Sequence, residues 1–268
     1  MKSKDILIAL SIKYKGDFDK MVGAIKAKEA LAEADVGKAV ASLKCKAVTI
    51  LDDDYPAQFK QSPKPPLCIF YHGDINLIKD EKACISYVGD RSASAYGLKT
   101  AEDLATAAAK NDLVLVSGFS RGIGFKAMKA AFDAGGKVVG VLPCGIDTCY
   151  PVSSKELCEE LKTKGLVISE YPLKTVTTAA NFPMRNRLIA AISHTLIVGE
   201  AAEKSGSLIT VSYALGMGKE VGCVPFPAGT HSACNMLIKE GAYLIDGPDD
   251  LIDLITGKTY AFVGKEDK

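Results

Sequence analysis

The stretch CISYVGDRSASAYGLKTAEDLATAAAKNDLVLVSGFSRGIG, residues 84–124, alternates two kinds of segment. The short apolar runs at 84–88 and 113–117 are typical of strands that are buried on both faces of a sheet. The segment 96–110 between them is rich in Ala, Leu, Lys and Glu, which are good helix formers. A buried strand followed by a helix and a second buried strand indicates two parallel strands of an α/β fold.

The same alternation continues towards the end of the chain. Further strands are predicted at 137–142, 166–169, 195–198, 220–224 and 243–245. Further helices are predicted at 123–134, 154–163, 185–192, 207–217, 234–240 and 248–255. The sequence therefore predicts one extended parallel sheet with helices on both faces.

The chain divides into three predicted parts. Residues 1–48 have helical composition interrupted by Gly16 and Gly23, which predicts a short helical N-terminal segment. Residues 49–256 form the main domain, and its first part, 49–74, holds two short strands that lead into the sheet. Residues 257–268 are predicted to be a frayed tail.

The composition argues against several functional classes. The net charge of this 268-residue chain is only +1, so a polyanion would have to be held by a local basic patch. No run of about 18 apolar residues is present, and we expect neither a membrane span nor a signal peptide. The eight cysteines include no CxxC pair, and the three histidines fit no metal or hydrolase motif. We therefore expect no metal, no cofactor and a reducing cytoplasmic location.

Four turns follow predicted strands, at the edge where open parallel sheets bind ligands. They are residues 89–91, 117–122, 143–147 and 199–207. Glycine lets backbone N–H groups approach a phosphate closely, although a single glycine turn is as often purely structural. Because Arg91 and Arg121 lie in two of these turns, the combination indicates an anion site.

The stretch 181–210 adds two more features of an anion site. Arg185-Asn186-Arg187 follows Pro183, which favours a helix start, and Ser205-Gly206-Ser207 precedes another predicted helix. Simple helix capping or a solvated arginine face would explain the same residues, and Phe182 is either a hydrophobic staple or a stacking platform for a base. The candidate binding residues are Gly89, Arg91, Ser117, Gly118, Arg121, Phe182, Arg185, Asn186, Arg187, Ser205, Gly206 and Ser207.

Two common nucleotide-binding motifs are not found. The glycines of 118–124 have the wrong spacing for the GxGxxG dinucleotide motif, and no acidic residue ends the next strand. No GxxxxGK[ST] sequence occurs, so the sequence does not support ATP hydrolysis by a P-loop.

Seven sequence blocks together resemble the DNA-processing protein A family (DprA/Smf). The blocks are VG-x-R with S-x-YG (88–97), VSG-x-x-x-GI (116–123), GID-x-x-YP (145–151), ISEYP (168–172), NFP-x-RNR (181–187), EA-x-x-x-SGSLIT (200–210) and N-x-LI-x-x-GA (235–242). They follow the family's order over roughly residues 50–245, and their combination is far more specific than any one of them.

The resemblance implies an extended Rossmann-like domain that binds single-stranded DNA in a basic pocket. It further implies a non-catalytic homodimer that acts in natural transformation and recombination, protects the strand and hands it to RecA recombinase. The residues that it assigns to DNA include Arg91, Gly118, Phe182, the 185–187 cluster and the 205–207 turn.

The chain departs from the family pattern at several positions. Asp90 replaces a Ser or Thr, and its carboxylate would repel a phosphate unless Arg91 neutralises it. Gly124 and Met128 replace an Asp and a His. The N-terminal segment is shorter than the family's helical domain and no winged-helix-like domain follows, so we expect a divergent or reduced member.

Two alternatives remain open at this point. One is a lysine-decarboxylase-like nucleoside monophosphate phosphoribohydrolase, since residues 225–230 keep part of that family's PGGxGT block. No acidic residue follows that block until Glu240, so it lacks a placed general base and is the weaker hypothesis. The other is a degenerate scaffold that binds only protein partners, which Asp90 and the low net charge favour.

Overall fold

A computed structural model describes residues 2–257 of the chain. The predicted tail, apart from Gly257, lies outside the described residues. The strands are β1 Lys46–Thr49, β2 Cys68–Gly73, β3 Cys84–Val88, β4 Val114–Ser117, β5 Lys137–Val141, β6 Leu166–Ser169, β7 Thr195–Val198, β8 Glu220–Cys223 and β9 Tyr243–Leu244.

Within residues 2–257, ten α-helices accompany these strands. They are α1 Ser3–Tyr14, α2 Phe18–Lys26, α3 Glu33–Ala41, α4 Ala95–Lys110, α5 Ile123–Asp133, α6 Lys155–Lys164, α7 Asn181–Ile192, α8 Ser207–Gly216, α9 Ala233–Lys239 and α10 Pro248–Thr256. Short 3₁₀ helices occupy Ala57–Gln61, Ile75–Ile78, Glu81–Ala83 and Val152–Ser154.

The strands form one nine-stranded sheet in the order β1-β2-β6-β5-β4-β3-β7-β8-β9. The seven strands from β6 to β9 in this order are mutually parallel, with Ile85 of β3 opposite Thr195 of β7 and Leu115 of β4. The predicted α/β architecture is confirmed. The sheet is mixed, however, because β2 pairs antiparallel with both β1 and β6.

Alternating strand residues face two hydrophobic layers, one on each side of the sheet. On one face Ile85 and Tyr87 of β3 pack with residues of α4, α5, α6 and α10. On the opposite face Cys84 and Val88 pack with residues of α7, α8 and α9. Every residue of β3 is buried, including Ser86, whose hydroxyl donates to the Ile189 carbonyl (2.6 Å), so the strand shows no alternation of buried and exposed residues.

The N-terminal helices pack beside this core. Leu10, Met21 and Ala24 form a small cluster between α1 and α2, and Ile8 of α1 reaches the main core. The sheet itself begins at Lys46, inside the segment predicted as helical. Among the described residues, no helix is both long enough and apolar enough to cross a bilayer.

The order of the strands changes direction between β3 and β7. From β3 the chain proceeds through β4, β5 and β6 on one side, and then returns to place β7, β8 and β9 on the other side. The segments that follow β3 and β7 therefore lead away from each other. In open α/β sheets such a point opens a crevice beyond the carboxyl ends of the strands, where ligands bind.

Candidate nucleic-acid interface

A pocket of about 570 Å³ lies at this crevice. Its walls come from the segments after β3 (88–92) and β4 (117–124), the first turns of α7 (182–189) and the segment after β7 (202–210). The two stretches that the sequence singled out for anion binding, near 84–124 and 181–210, thus meet in one place.

Ten of the twelve predicted site residues line this pocket. They are Gly89, Arg91, Ser117, Gly118, Phe182, Arg185, Asn186, Ser205, Gly206 and Ser207. The remaining two, Arg121 and Arg187, do not line it. Helix α7 begins at Asn181, four residues before its predicted start, so Phe182 and Pro183 belong to its first turn, where proline needs no N–H partner.

Arg185 is a buried cation at the wall of the pocket. Its side chain donates from Nη1 to the Val141 carbonyl (3.1 Å), from Nε to the Asn186 amide oxygen (3.1 Å) and from Nη2 to Ser120 Oγ (3.4 Å). Burial, together with the positive charge of Arg91, lowers the pKa of Arg185 to about 10. Desolvation and the nearby cation both disfavour the charged form of Arg185, so binding of an anion beside it would be favourable.

Gly118 makes room for this guanidinium. A Cβ atom at position 118 would overlap Nη1 of Arg185, so any side chain there requires the guanidinium to move from its observed position. The glycine after β4 therefore serves to admit the arginine of α7, a role that its sequence context alone does not reveal.

Two arginines lie against one aromatic ring. The guanidinium carbons of Arg91 and Arg185 are 5.2 Å and 5.9 Å from the centre of the Phe182 ring, within the range of cation–π contact. Tyr150 meets the same ring edge-on, with centroids 6.0 Å apart. Among residues 2–257, no carboxylate lies within 4.0 Å of a nitrogen of either arginine. The two charges are therefore available to an external anion.

The segment after β7 forms the opposite wall. The hydroxyl of Ser205 donates to Asp90 Oδ1, and the backbone N–H of Ala202 donates to Asp90 Oδ2 (2.7 Å). The hydroxyl of Ser207 donates to the Gly89 carbonyl (2.8 Å), which ties the start of α8 to the end of β3. Both serine hydroxyls are thus engaged within the protein.

Arg187 lies away from the pocket, in contrast to the prediction that grouped it with Arg185. Its side chain is 1% exposed and pairs with Glu170, which is 5% exposed, through Nη2 and Oε2. Burial raises the pKa of Glu170, and the charge of Arg187 opposes that rise. Residues two apart on a helix point about 200° apart, so the sequence already held the signal that only one of the two arginines could face the crevice.

Arg121 is exposed and lies outside the pocket. Its Nε is 3.5 Å from Ser153 Oγ, a contact to the 3₁₀ turn before α6. The sequence had grouped Arg121 with Gly118 because both lie in one turn. Ser120, between them, does line the pocket and contacts Arg185, although no sequence motif singles it out.

Comparison with known proteins identifies the relationship. Residues 46–256 match the family described as DNA recombination-mediator protein A. The chain belongs to this family. Among its curated relatives, this DprA/Smf chain is 37% identical to the DNA processing protein DprA of Streptococcus pneumoniae over 206 residues, which cover 76% of this chain and 72% of that protein.

In two other relatives the matched region covers little more than half of the relative's own length. Protein Smf of Escherichia coli is 34% identical over 202 residues, covering 74% of this chain and 54% of the relative. The Synechocystis protein Smf is 31% identical, with 56% of its length covered. This DprA/Smf chain thus spans between about half and three quarters of the curated relatives it matches.

Solved structures of the family share the fold. The X-ray structure of DprA from S. pneumoniae superposes with a TM-score of 0.74 at 30% identity, covering 94% of this chain and 92% of that one. A structure of DprA from Helicobacter pylori, described as giving insights into its single-stranded DNA binding mode, has a TM-score of 0.72 at 26% identity and covers 80% and 97%.

The departures from the DprA/Smf pattern now have a structural setting. Asp90 forms no ion pair with Arg91 among the described residues; its carboxylate instead accepts hydrogen bonds from the Ala202 N–H and the Ser205 hydroxyl. Gly124 lines the pocket, and a Cβ there would lie 2.7 Å from Ser117 Oγ. Met128 is fully buried in the core beside α4. Positions 124 and 128 therefore offer no polar side chain to a ligand.

Beyond the family pattern, the structure pairs two cysteines. Cys149 and Cys158 form a disulfide that links the segment before Tyr150 to α6. This pair was not predicted, because the two cysteines are nine residues apart and match no known motif. Among the described residues, no three metal-ligating side chains cluster together, and the pocket lining contains neither histidine nor cysteine.

Proposed function

We propose that this DprA/Smf protein binds single-stranded DNA in the pocket at the β3–β7 crevice. The observation that carries the proposal is the buried guanidinium of Arg185, which shares the Phe182 ring with Arg91 and faces no carboxylate among the described residues. A guanidinium donates hydrogen bonds to a phosphate of the DNA backbone, and an aromatic ring offers a surface on which an unstacked base can stack. The H. pylori relative is described as binding single-stranded DNA.

The pocket favours a single strand over a duplex for a physical reason. Phe182 is partly buried at the pocket wall, and stacking on its ring requires an unstacked base, which a single strand offers more readily than a duplex. The cations are two in number and local, in keeping with a net charge of only +1. Binding is therefore expected to depend on one or two phosphates and to tolerate different sequences.

The pocket chemistry supports a binding role without catalysis. Its lining includes one carboxylate, Asp90, whose two oxygens are both hydrogen-bonded within the protein. No lining side chain is therefore poised to take a proton from a water or a hydroxyl. The 225–230 segment, which suggested a phosphoribohydrolase, lies outside the lining residues.

Fluorescence anisotropy with labelled single-stranded and duplex oligonucleotides, titrated with salt, tests the binding proposal. We expect micromolar or tighter binding of the single strand, weaker binding of the duplex, and a slope of log K against log salt of about −0.7 for each of the one or two phosphates bound. Arg91→Ala and Arg185→Ala should each weaken binding and reduce the slope of log K against log salt by about 0.7 for each lost phosphate contact.

Arg121→Ala is the matched comparison, because it removes an exposed arginine that lies outside the pocket. Its slope and affinity should remain close to those of the parent. Failure of the parent to bind single strands at low salt would sink the proposal, and an unchanged slope in both pocket variants would remove Arg91 and Arg185 from the DNA path.

We further propose a homodimer that contacts a second copy through the free edge of the sheet. Among residues 2–257, β9 is the last strand of the sheet, and its Tyr243 and Leu244 are 48% and 50% exposed. An exposed apolar edge strand is a surface that proteins normally cover. Light scattering should give a dimer for the parent and a monomer for Leu244→Lys; a dimer in both would contradict this interface.

Family membership supports a proposal about the wider role. We propose that the protein acts in the cytoplasm in DNA processing, natural transformation and recombination, protecting single strands and delivering them to RecA recombinase. The family description as a recombination mediator supports this assignment. Purified protein should shield a single strand from nuclease and speed RecA loading onto it; a parent protein that binds the strand but fails in both assays would contradict it.

A further inference from the structure

The side chain of Asp90 is held in one place from several directions. Its backbone N–H donates to the Glu200 carbonyl (2.8 Å), and its carbonyl accepts from the Ile123 N–H (3.1 Å). Its two carboxylate oxygens accept from the Ala202 N–H and the Ser205 hydroxyl. A carboxylate anchored in this way occupies a fixed position at the pocket wall.

That position is one that suits an external anion. The 202–207 segment leads into α8, whose N-terminal end carries a partial positive charge, and it presents a backbone N–H and a hydroxyl to the same point. In this chain both donors already point at a negative charge that the protein itself supplies. The hydroxyl of Ser207 is also taken, by the Gly89 carbonyl.

The two halves of the pocket therefore differ in charge. On one side Arg91 and Arg185 surround Phe182 without a carboxylate partner among the described residues. On the other side Asp90 contributes a negative charge that no arginine or lysine within 4.0 Å neutralises in the described part of the chain. A second phosphate that approached the turn would meet occupied donors and a like charge.

We propose that Asp90 is a specificity-determining residue: its carboxylate fills the anion position of the 202–207 turn, so that the pocket takes a backbone phosphate only at its Arg91–Arg185 end. The inference rests on the proposed binding function and deepens it. It assigns the turn, which the sequence placed among the DNA contacts, to an internal anion. The side chain at position 90 then determines whether the 202–207 turn is free to bind an external phosphate.

Three variants separate occupancy of the turn from a general effect of charge. Asp90→Ser empties the anion position, whereas Asp90→Asn removes the charge but keeps a side chain of the same shape in the turn. Glu203→Gln is the matched control, because it removes an exposed carboxylate from the same segment, where Glu203 faces His231 and not the turn. Circular dichroism first establishes that each variant is folded.

The first measurement is thermal unfolding with and without inorganic phosphate, which does not involve DNA. Asp90→Ser should lower the melting temperature by on the order of 5 °C, because the turn loses its acceptor, and phosphate should restore most of this loss. The parent, Asp90→Asn and Glu203→Gln should gain little from phosphate. Equal gains in all four proteins, or no gain in Asp90→Ser, would overturn the inference.

The second measurement is the salt dependence of single-strand binding. Asp90→Ser should bind more tightly and steepen the slope by about 0.7, the increment for one additional phosphate on a single strand. Asp90→Asn should bind about two- to tenfold more tightly with the slope of the parent, since only repulsion is removed. Identical slopes for the two variants would overturn the inference.

The two measurements also separate this inference from the proposed function. If no variant binds single strands while phosphate still restores Asp90→Ser, DNA binding fails and the assignment of the turn is upheld. If the parent binds single strands through Arg91 and Arg185 while phosphate has no effect on Asp90→Ser, the assignment of Asp90 fails alone.

Discussion

Replacing Arg187 by Met tests whether this arginine supports the fold or contacts DNA. Its side chain is 1% exposed, and Nη2 lies against Oε2 of Glu170, itself 5% exposed. Removing one partner of a buried ion pair costs about 3–5 kcal/mol, because the other charge is left without compensation. Nε and Nη1 of Arg187 make no hydrogen bond within the described residues, so burying them destabilises the parent. The Met variant avoids this cost, which offsets part of its loss of stability. We therefore expect Arg187→Met to lower the free energy of unfolding by about 3 kcal/mol, the low end of that range.

The loss should depend on pH in a defined direction. Burial already raises the pKa of Glu170, and the charge of Arg187 holds that rise back. Without Arg187 the folded-state pKa rises further above the unfolded value. A raised carboxyl pKa gives stability that is present at low pH and is lost as pH rises through the folded pKa. The deficit of Arg187→Met against the parent should therefore shrink from about pH 8 to about pH 5.

Urea unfolding at several pH values measures the free energy, and single-strand anisotropy on the folded protein measures binding. The double variant Arg187→Met with Glu170→Gln should regain part of the stability, because no buried charge remains. Folded Arg187→Met should bind single strands within about twofold of the parent, whereas Arg185→Met should not. Parent-like stability combined with a large loss of binding would refute the reasoning and return Arg187 to the DNA path.

Three further predictions concern the pocket and its surroundings. Gly118→Ala should weaken single-strand binding by about 10- to 100-fold in anisotropy, since its Cβ would displace the guanidinium of Arg185 and its charged contacts. Phe182→Ala should cost about 1–3 kcal/mol of binding if a base stacks on the ring, and less if the ring only staples the start of the helix. Reducing the Cys149–Cys158 bond, which closes a short loop, should lower the free energy of unfolding by about 2.5 kcal/mol in urea titrations.

Each of these predictions has a matched comparison. Gly216→Ala adds a Cβ into open space outside the pocket, so its affinity should equal that of the parent; a similar loss in both glycine variants would remove the steric explanation. Phe132→Ala removes an aromatic ring outside the pocket lining and should leave binding intact. In a protein that lacks both Cys149 and Cys158, reductant should not change the free energy of unfolding. A remaining change would show that the effect does not come from this disulfide. A cytoplasmic location also requires this pair to be reduced in the cell.

The parallel part of the fold could be predicted because its determinants are local. The apolar runs around Ile85 and Leu115 are strands buried on both faces, and the segments between them have helical composition. The antiparallel edge could not be predicted, because β2 pairs Phe70 with Ser169, about one hundred residues further along the chain. Nothing in the sequence near Phe70 specifies that partner.

The candidate site was predictable to a similar depth. Turns at strand ends and the Arg185 cluster pointed to one crevice, since parallel strands end at the same edge. Which of these residues face the pocket and which are hydrogen-bonded within the protein depends on contacts between residues distant in sequence. Asp90 meets its partners Ala202 and Ser205 across 112 and 115 positions of sequence, so a pattern read along the chain presents it only as an unfavourable charge.

The different settings of Arg91 and Arg185 have a kinetic consequence. Arg185 is already desolvated and fixed by the Val141 carbonyl, so a phosphate that binds it costs little further loss of side-chain freedom. Arg91 is exposed, and its field extends into solvent, where it acts on a strand before contact. Arg91 should therefore govern mainly the association rate, with strong dependence on ionic strength, while Arg185 governs the residence time of the bound strand.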